Sequence, residues 1–153
     1  MSTTTDLAEE IGRRLSASGG CIAVAESLTG GMLVQALAKV QGSGDWLMGG
    51  VVAYQTAVKH KALGVEAAIV VSPEAAEQMA TGVRRLLDAD VAVAVTGAAG
   101  PDGQQGRPPG EVWIGLDDGR TARSFLLRTS GTPEEICEQT VVEALRNVVG
   151  TLP

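Results

Sequence analysis

The chemistry open to this sequence is concentrated in three short segments. The first, Ala25-Glu26-Ser27-Leu28-Thr29-Gly30-Gly31, sets two hydroxyls and a glycine pair directly behind an apolar run. A strand feeding such a turn into a helix leaves backbone N–H groups and the positive end of the helix dipole open to a phosphate or carboxylate. Ser27, Thr29, Gly30 and Gly31 are therefore candidate substrate-binding residues; the bland alternative is that Ser27 or Thr29 only caps the helix. The spacing fits neither a phosphate-loop ATPase nor a dinucleotide fingerprint. The second segment, Thr96-Gly97-Ala98-Ala99-Gly100-Pro101-Asp102-Gly103, leaves another apolar run at the end where open α/β sheets place ligands. Successive N–H groups there can form an anion-binding nest, which makes Thr96, Gly97, Gly100, Asp102 and Gly103 candidates beside the alternative of a merely mobile loop.

The third segment joins Tyr54 and Lys59 to the loop around Ser43. A lysine beside a buried sheet end can lose its proton and then accept one from a hydroxyl nucleophile. Five positions on one ideal helix point two side chains about 140° apart. Tyr54 and Lys59 thus converge only if Tyr54 ends a strand and Lys59 lies on the next turn; the alternative is a rim tyrosine and a solvated lysine. His60 is the one histidine and reads as a surface residue, so a Ser-His-Asp triad is not expected. No His/Cys/Asp grouping has metal-ligand spacing, and no metal is expected.

Local signals define the elements that must hold these residues. Leu7, Ile11 and Leu15 recur at helical spacing over residues 3 to 18. Cys21 to Ala25 reads as a strand buried on both faces. A helix is predicted from about Thr29 on Met32, Leu33, Ala36, Leu37 and Val40, then a strand ending at Tyr54 and a short helix from Gln55-Thr56 to Leu63. Ser72-Pro73-Glu74 supplies an N-cap, a first-turn proline and an acid on the dipole. Asp90 to Val95 reads as a second buried strand, Glu111–Leu116 and Thr121–Arg128 as an antiparallel pair around Asp117-Asp118-Gly119, and Thr132-Pro133-Glu134-Glu135 as a capping box. Strands alternating with helices, plus one hairpin, predict an α/β layered domain with a mixed sheet.

Composition narrows the function. The 153 residues fit one domain, spanning 1–153, with an expected folded surface of about 7,300 Å². No apolar run approaches the roughly 20 residues of a membrane helix. The opening MSTTTDLAEE lacks a secretory signal, and two cysteines form no framework, so a reducing cytoplasm is expected. A net charge of −6 and 3% aromatic residues argue against a nucleic-acid surface, which needs cations for phosphates or rings for bases.

Taken together, AESLTGG at 25–31, GGVVAY…K…LGV over 49–65, VSPEAAEQMA at 71–80 and TGAAGPDG…GEVWIG over 96–115 resemble the carboxy-terminal domain of the CinA competence/damage-inducible family over nearly the whole chain. The resemblance implies a stand-alone, three-layer α/β/α domain that self-associates, commonly as dimers. It also implies a nicotinamide mononucleotide deamidase, yielding nicotinic acid mononucleotide and ammonia, with no cofactor, in pyridine nucleotide recycling. The family's catalytic set implies a serine, a tyrosine and a lysine, and Tyr54 and Lys59 match the latter two. The serine position, ten before Tyr54, holds Gly44, so the resemblance points to the adjacent Ser43 with the loop shifted by one residue, to Ser27 or Thr29 with the ligand seated differently, or to a catalytically idle nucleotide-binding domain. Arg107-Pro108-Pro109-Gly110 stands where the family tends to have lysine-proline-valine-glycine, and a cation is kept.

Overall fold

Caps and apolar alternation account for the order of elements. The computed structural model describes residues 3–100 and 103–153. Helix α1 (Thr4–Ser18) opens on a capping box in which Thr3 and Asp6 satisfy each other's backbone N–H groups. Strand β1 (Ile22–Glu26), helix α2 (Met32–Ala38), a 3₁₀ turn at Ser43–Asp45 and strand β2 (Leu47–Val52) follow. Helices α3 (Thr56–Leu63) and α4 (Pro73–Leu86) lead to β3 (Val91–Gly97). The chain ends in β4 (Glu111–Asp117), β5 (Ala122–Arg128) and α5 (Pro133–Thr151), which carries the expected capping box from Thr132 to Glu135. The clearest departure from sequence expectation is α2, which starts at Met32 and not near Thr29.

The sheet order is β2-β1-β3-β4-β5, with β1 parallel to β2 and β3, and β4 antiparallel to both its neighbours. Alternation along the buried strands sorts residues by size. Ile22, Val24, Val91, Val93 and Val95 pack with side chains of α1, α2 and α5. Ala23, Ala25, Ala92 and Ala94 face α3 and α4. The result is the expected three-layer α/β/α arrangement, with accessible surface of 7308 Å², the value a compact chain of this mass should have.

The alanine face lets α4 approach the sheet closely. At Gly115 of β4 an added Cβ would stand 2.0 Å from the Ala76 carbonyl oxygen. Gly115→Ala is therefore expected to cost at least about 2 kcal/mol, because backbone must move to relieve the overlap. Thermal melting should register it as a drop of several degrees.

Because β1, β2 and β3 are parallel, their carboxyl ends meet at one edge of the sheet. Glu26-Ser27, Ala53-Tyr54 and Thr96-Gly97 all lie there. The chain leaves β1 for β2 on one side and returns to β3 on the other, the kind of switch point where open α/β sheets bind ligands.

Candidate active site

The end of β1 is organised by a residue that motif reading passed over. Glu26 is buried, and its Oε1 accepts from Thr29 Oγ1 at 2.6 Å and from the Leu33 N–H at 2.8 Å, while Oε2 accepts from the Val34 N–H at 2.9 Å. The chain's own carboxyl group thus fills the start of α2, where an external anion was expected. This also explains why the helix begins late: Gly30 and Gly31 turn through positive φ so that Leu33 and Val34 can aim back at Glu26. Thr29 spends its hydroxyl proton on that cap, which leaves its oxygen only as an acceptor. An acid immediately before a hydroxyl–glycine turn is the signal that could have found it. Glu26→Gln keeps the shape but sets an NH2 group against a backbone N–H, so a loss of about 1–3 kcal/mol is expected in denaturant unfolding.

Ser27 is the next residue, 4% exposed, and among the described residues its Oγ has no hydrogen-bond partner. Carrying the alternation of Ala23 and Ala25 one residue past Glu26 turns Ser27 towards the face covered by α3 and α4. On the neighbouring strand the Ala53 N–H donates to the Glu26 carbonyl at 2.7 Å, holding the two strand ends together.

Lys59 lies on α3 at that same corner with its side chain wholly buried. Its Nζ donates to the Tyr54 backbone carbonyl at 3.3 Å. Burial strips water from the ammonium and lowers its pKa from 10.5 to about 8. Tyr54 and Lys59 meet through the tyrosine's backbone carbonyl, and the tyrosine is 64% exposed.

At the end of β3 the loop is tied down. Thr96 is buried and its Oγ1 donates to the Val70 carbonyl at 2.5 Å, so its hydroxyl is committed to structure. Gln105 accepts from the Val70 N–H at 2.8 Å and donates to the Ala68 carbonyl at 3.0 Å, pinning the loop across the segment before α4. A Cβ added at Gly97 would meet Val112 and Glu111, and one at Gly103 the Arg107 carbonyl, so both positions require glycine; at Gly100 an added Cβ meets nothing within 4 Å. Gly30 is open in the same way. Asp102 lies outside the described residues. The sheet edge thus assembles Ser27, Gly30, Gly31 and Lys59, with Gly100 at the neighbouring strand end.

Ser43 is not brought to Lys59 within the chain. It opens the 3₁₀ turn before β2, its Oγ donates to the Ala38 carbonyl at 3.0 Å, and the Ile22 N–H bonds Trp46 at the amino end of the strands. Six strand residues separate that end from the carboxyl end, about 20 Å. Surface grooves of about 650 Å³ between α1, α2 and α5, and about 680 Å³ between α3 and α4, contain neither Ser27 nor Lys59.

Fold and site together define a three-layer α/β/α protein with a desolvated lysine and a serine hydroxyl, unpaired among the described residues, at the carboxyl edge of its parallel strands. The model of the CinA C-terminal domain family matches residues 4–152, and the chain belongs to that family. It is 45% identical over 118 residues to a putative competence-damage inducible protein of Halothermothrix orenii, covering 73% of this chain and 29% of that protein. It is 39% identical over 154 residues to the nicotinamide-nucleotide amidohydrolase PncC of Enterobacter agglomerans, covering 94% of this chain and 92% of that one. The chain therefore spans under a third of the first relative and nearly all of the second. The crystal structure of the competence damage-inducible protein A of Klebsiella pneumoniae superposes with a TM-score of 0.94 at 31% identity, over 98% of this chain and 97% of that one.

Proposed function

We propose that the protein is an amidohydrolase that converts nicotinamide mononucleotide to nicotinic acid mononucleotide and ammonia, with Ser27 as nucleophile and Lys59 as the proton acceptor. The observation that carries this reading is the wholly buried Lys59, whose pKa falls to about 8 and whose amine bonds the Tyr54 carbonyl at the same sheet edge where Ser27 follows β1. The amidohydrolase from Enterobacter agglomerans, which matches along nearly its full length, supports the substrate class.

In the acylation step Ser27 Oγ attacks the carboxamide carbon as its proton passes to Lys59 Nζ. Collapse of the tetrahedral intermediate breaks the C–N bond, and the nitrogen leaves as ammonia with the proton returned from Lys59. Water then attacks the acyl ester with Lys59 again accepting a proton, releasing the carboxylate and restoring the serine. No electrons move and no cofactor enters. The open backbone at Gly30-Gly31 and Gly100 leaves room for the nucleotide, whose phosphate is not placed at the start of α2 because Glu26 occupies it. This is the work of a cytoplasmic domain in pyridine nucleotide recycling, acting as a dimer.

A second reading is favoured by Gly44, which stands where a catalytic serine is expected: a domain that binds the nucleotide and leaves it intact. Two measurements on the purified protein separate the readings. Ammonia release from nicotinamide mononucleotide is the expected result. A thermal shift without ammonia would support the idle binder; ligand at one hundred times Kd adds about 2.7 kcal/mol of stability. Neither shift nor ammonia at millimolar nucleotide would overturn both.

A further inference from the structure

The phosphate of a mononucleotide needs a partner of its own in this protein. With a net charge of −6 the molecule repels a dianion over most of its surface, so phosphate has to be caught by a local donor. Helix starts are the usual donors. Here α1 starts with Asp6, α2 is closed by Glu26, and α4 and α5 carry Glu74 and Glu135 in their first turns. The start of α3 has no acid, but Lys59 lies one turn in, which makes it the amide's end of the site.

Arg107 is the cation left open beyond the end of β3. It closes a tight turn in which Gln104 and Arg107 exchange backbone hydrogen bonds of 3.0 and 2.8 Å, and the Gln105 side chain pins that turn to Ala68 and Val70. The backbone that carries the arginine is thereby held. Its side chain is 43% exposed, with Nε 3.8 Å from Glu111 Oε2, too far for a hydrogen bond but close enough for the two charges to orient each other. Glu111 is buried at the start of β4, and its Oε2 accepts from the Trp113 indole N–H at 3.2 Å. Because Nε is the nitrogen nearest this anchored carboxylate, the terminal Nη1 and Nη2 remain for another anion. Glu111, Trp113 and Gly115 alternate onto the face of the sheet where α4 packs, the face to which Ser27 also turns. Strand β4 lies two places from β1, about 10 Å away, a separation that a mononucleotide bridges between its amide and its phosphate.

We propose that Arg107 binds the 5′-phosphate of the substrate through its paired terminal N–H groups, the geometry in which a guanidinium grips phosphate most firmly. The identity of the nucleotide rests on the amidohydrolase reading; the binding of a sugar phosphate does not. Calorimetric titration should therefore use two pairs of ligands: nicotinamide mononucleotide against nicotinamide riboside, and ribose 5-phosphate against ribose. The wild type should prefer the phosphorylated member of each pair at least about tenfold, and Arg107→Ala should erase that preference while circular dichroism stays native. Arg107→Lys should keep part of it, because the charge remains and the fork is lost. Arg128→Ala is the control for long-range attraction, since Arg128 lies opposite Glu111 on the outer strand β5, one strand further from Ser27; it should leave the preference within about twofold of wild type. A preference for phosphate that survives Arg107→Ala, or one that Arg128→Ala lowers equally, overturns the proposal. So does a wild type with no preference in either pair. A wild type that binds ribose 5-phosphate through Arg107 yet neither binds nor deamidates the pyridine nucleotide would sustain the phosphate site and retire the amidohydrolase reading alone.

Discussion

Lys59→Met should abolish amide hydrolysis and at the same time make the protein more stable at neutral pH. The two effects have one cause. In the folded chain the amine is buried with a single carbonyl partner, and its pKa falls from 10.5 to about 8. Below pH 8 both folded and unfolded chains hold the proton, so folding must bury an ammonium, at a cost on the order of 3 kcal/mol for a shift of this size. Between about pH 8 and 10.5 the unfolded chain binds the proton and the folded chain does not, so wild-type stability rises with pH across that window. Methionine fills similar volume, carries no charge and forfeits one hydrogen bond, giving a net gain of about 1–3 kcal/mol at pH 7. Activity should drop by about 10²- to 10⁴-fold with the proton acceptor gone. In the wild type kcat/KM should climb towards pH 8 as Lys59 becomes neutral. A variant that melts lower at pH 7 and keeps its turnover would remove Lys59 from both roles.

Ser27→Ala should lower kcat by about 10³-fold or more, while Ser43→Ala leaves it close to wild type within one chain's site. Ser27 stands at the lysine's end of the parallel strands with its hydroxyl unclaimed by any described residue, whereas Ser43 sits at the other end bonded to Ala38. Gly44→Ser sharpens the comparison. Gly44 has no positive φ, and an added Cβ there meets nothing within 4 Å, so the variant should fold with stability within about 0.5 kcal/mol of wild type. An active wild type unchanged by Gly44→Ser fits Ser27 as nucleophile. An inactive wild type that gains ammonia release on Gly44→Ser would establish the idle-binder reading and retire Ser27.

The same residues show what could be read in one dimension. Helix starts at Ser72 and Thr132, the buried strands and the β4–β5 hairpin were legible because caps, turns and apolar periods are set by residues within a few positions of one another. Lys59 was legible as a candidate because the alternation of elements places it just after a strand end. Thr96 was legible as a candidate too, but the bond its hydroxyl makes to the Val70 carbonyl, 26 positions away, was not, because no local pattern records it. Glu26 escaped for a related reason: a carboxyl group beside a glycine turn looks the same in sequence whether it faces solvent or closes the start of a helix.

By itself, then, the sequence determined the α/β layering, the mixed sheet, the family resemblance and the short list of polar groups from which a site could be built. Only the tertiary structure decided which of them lie at one edge of the sheet. Strand direction is the physical reason: in a sheet of parallel β1, β2 and β3, residues at carboxyl ends meet and residues at amino ends lie a full strand length away, so within one chain Ser27 falls at the edge where Lys59 bonds Tyr54 and Ser43 falls at the other. Burial was decided at the same level, because the water that would keep Lys59 an ordinary ammonium is excluded by elements the lysine's own neighbours in sequence do not supply.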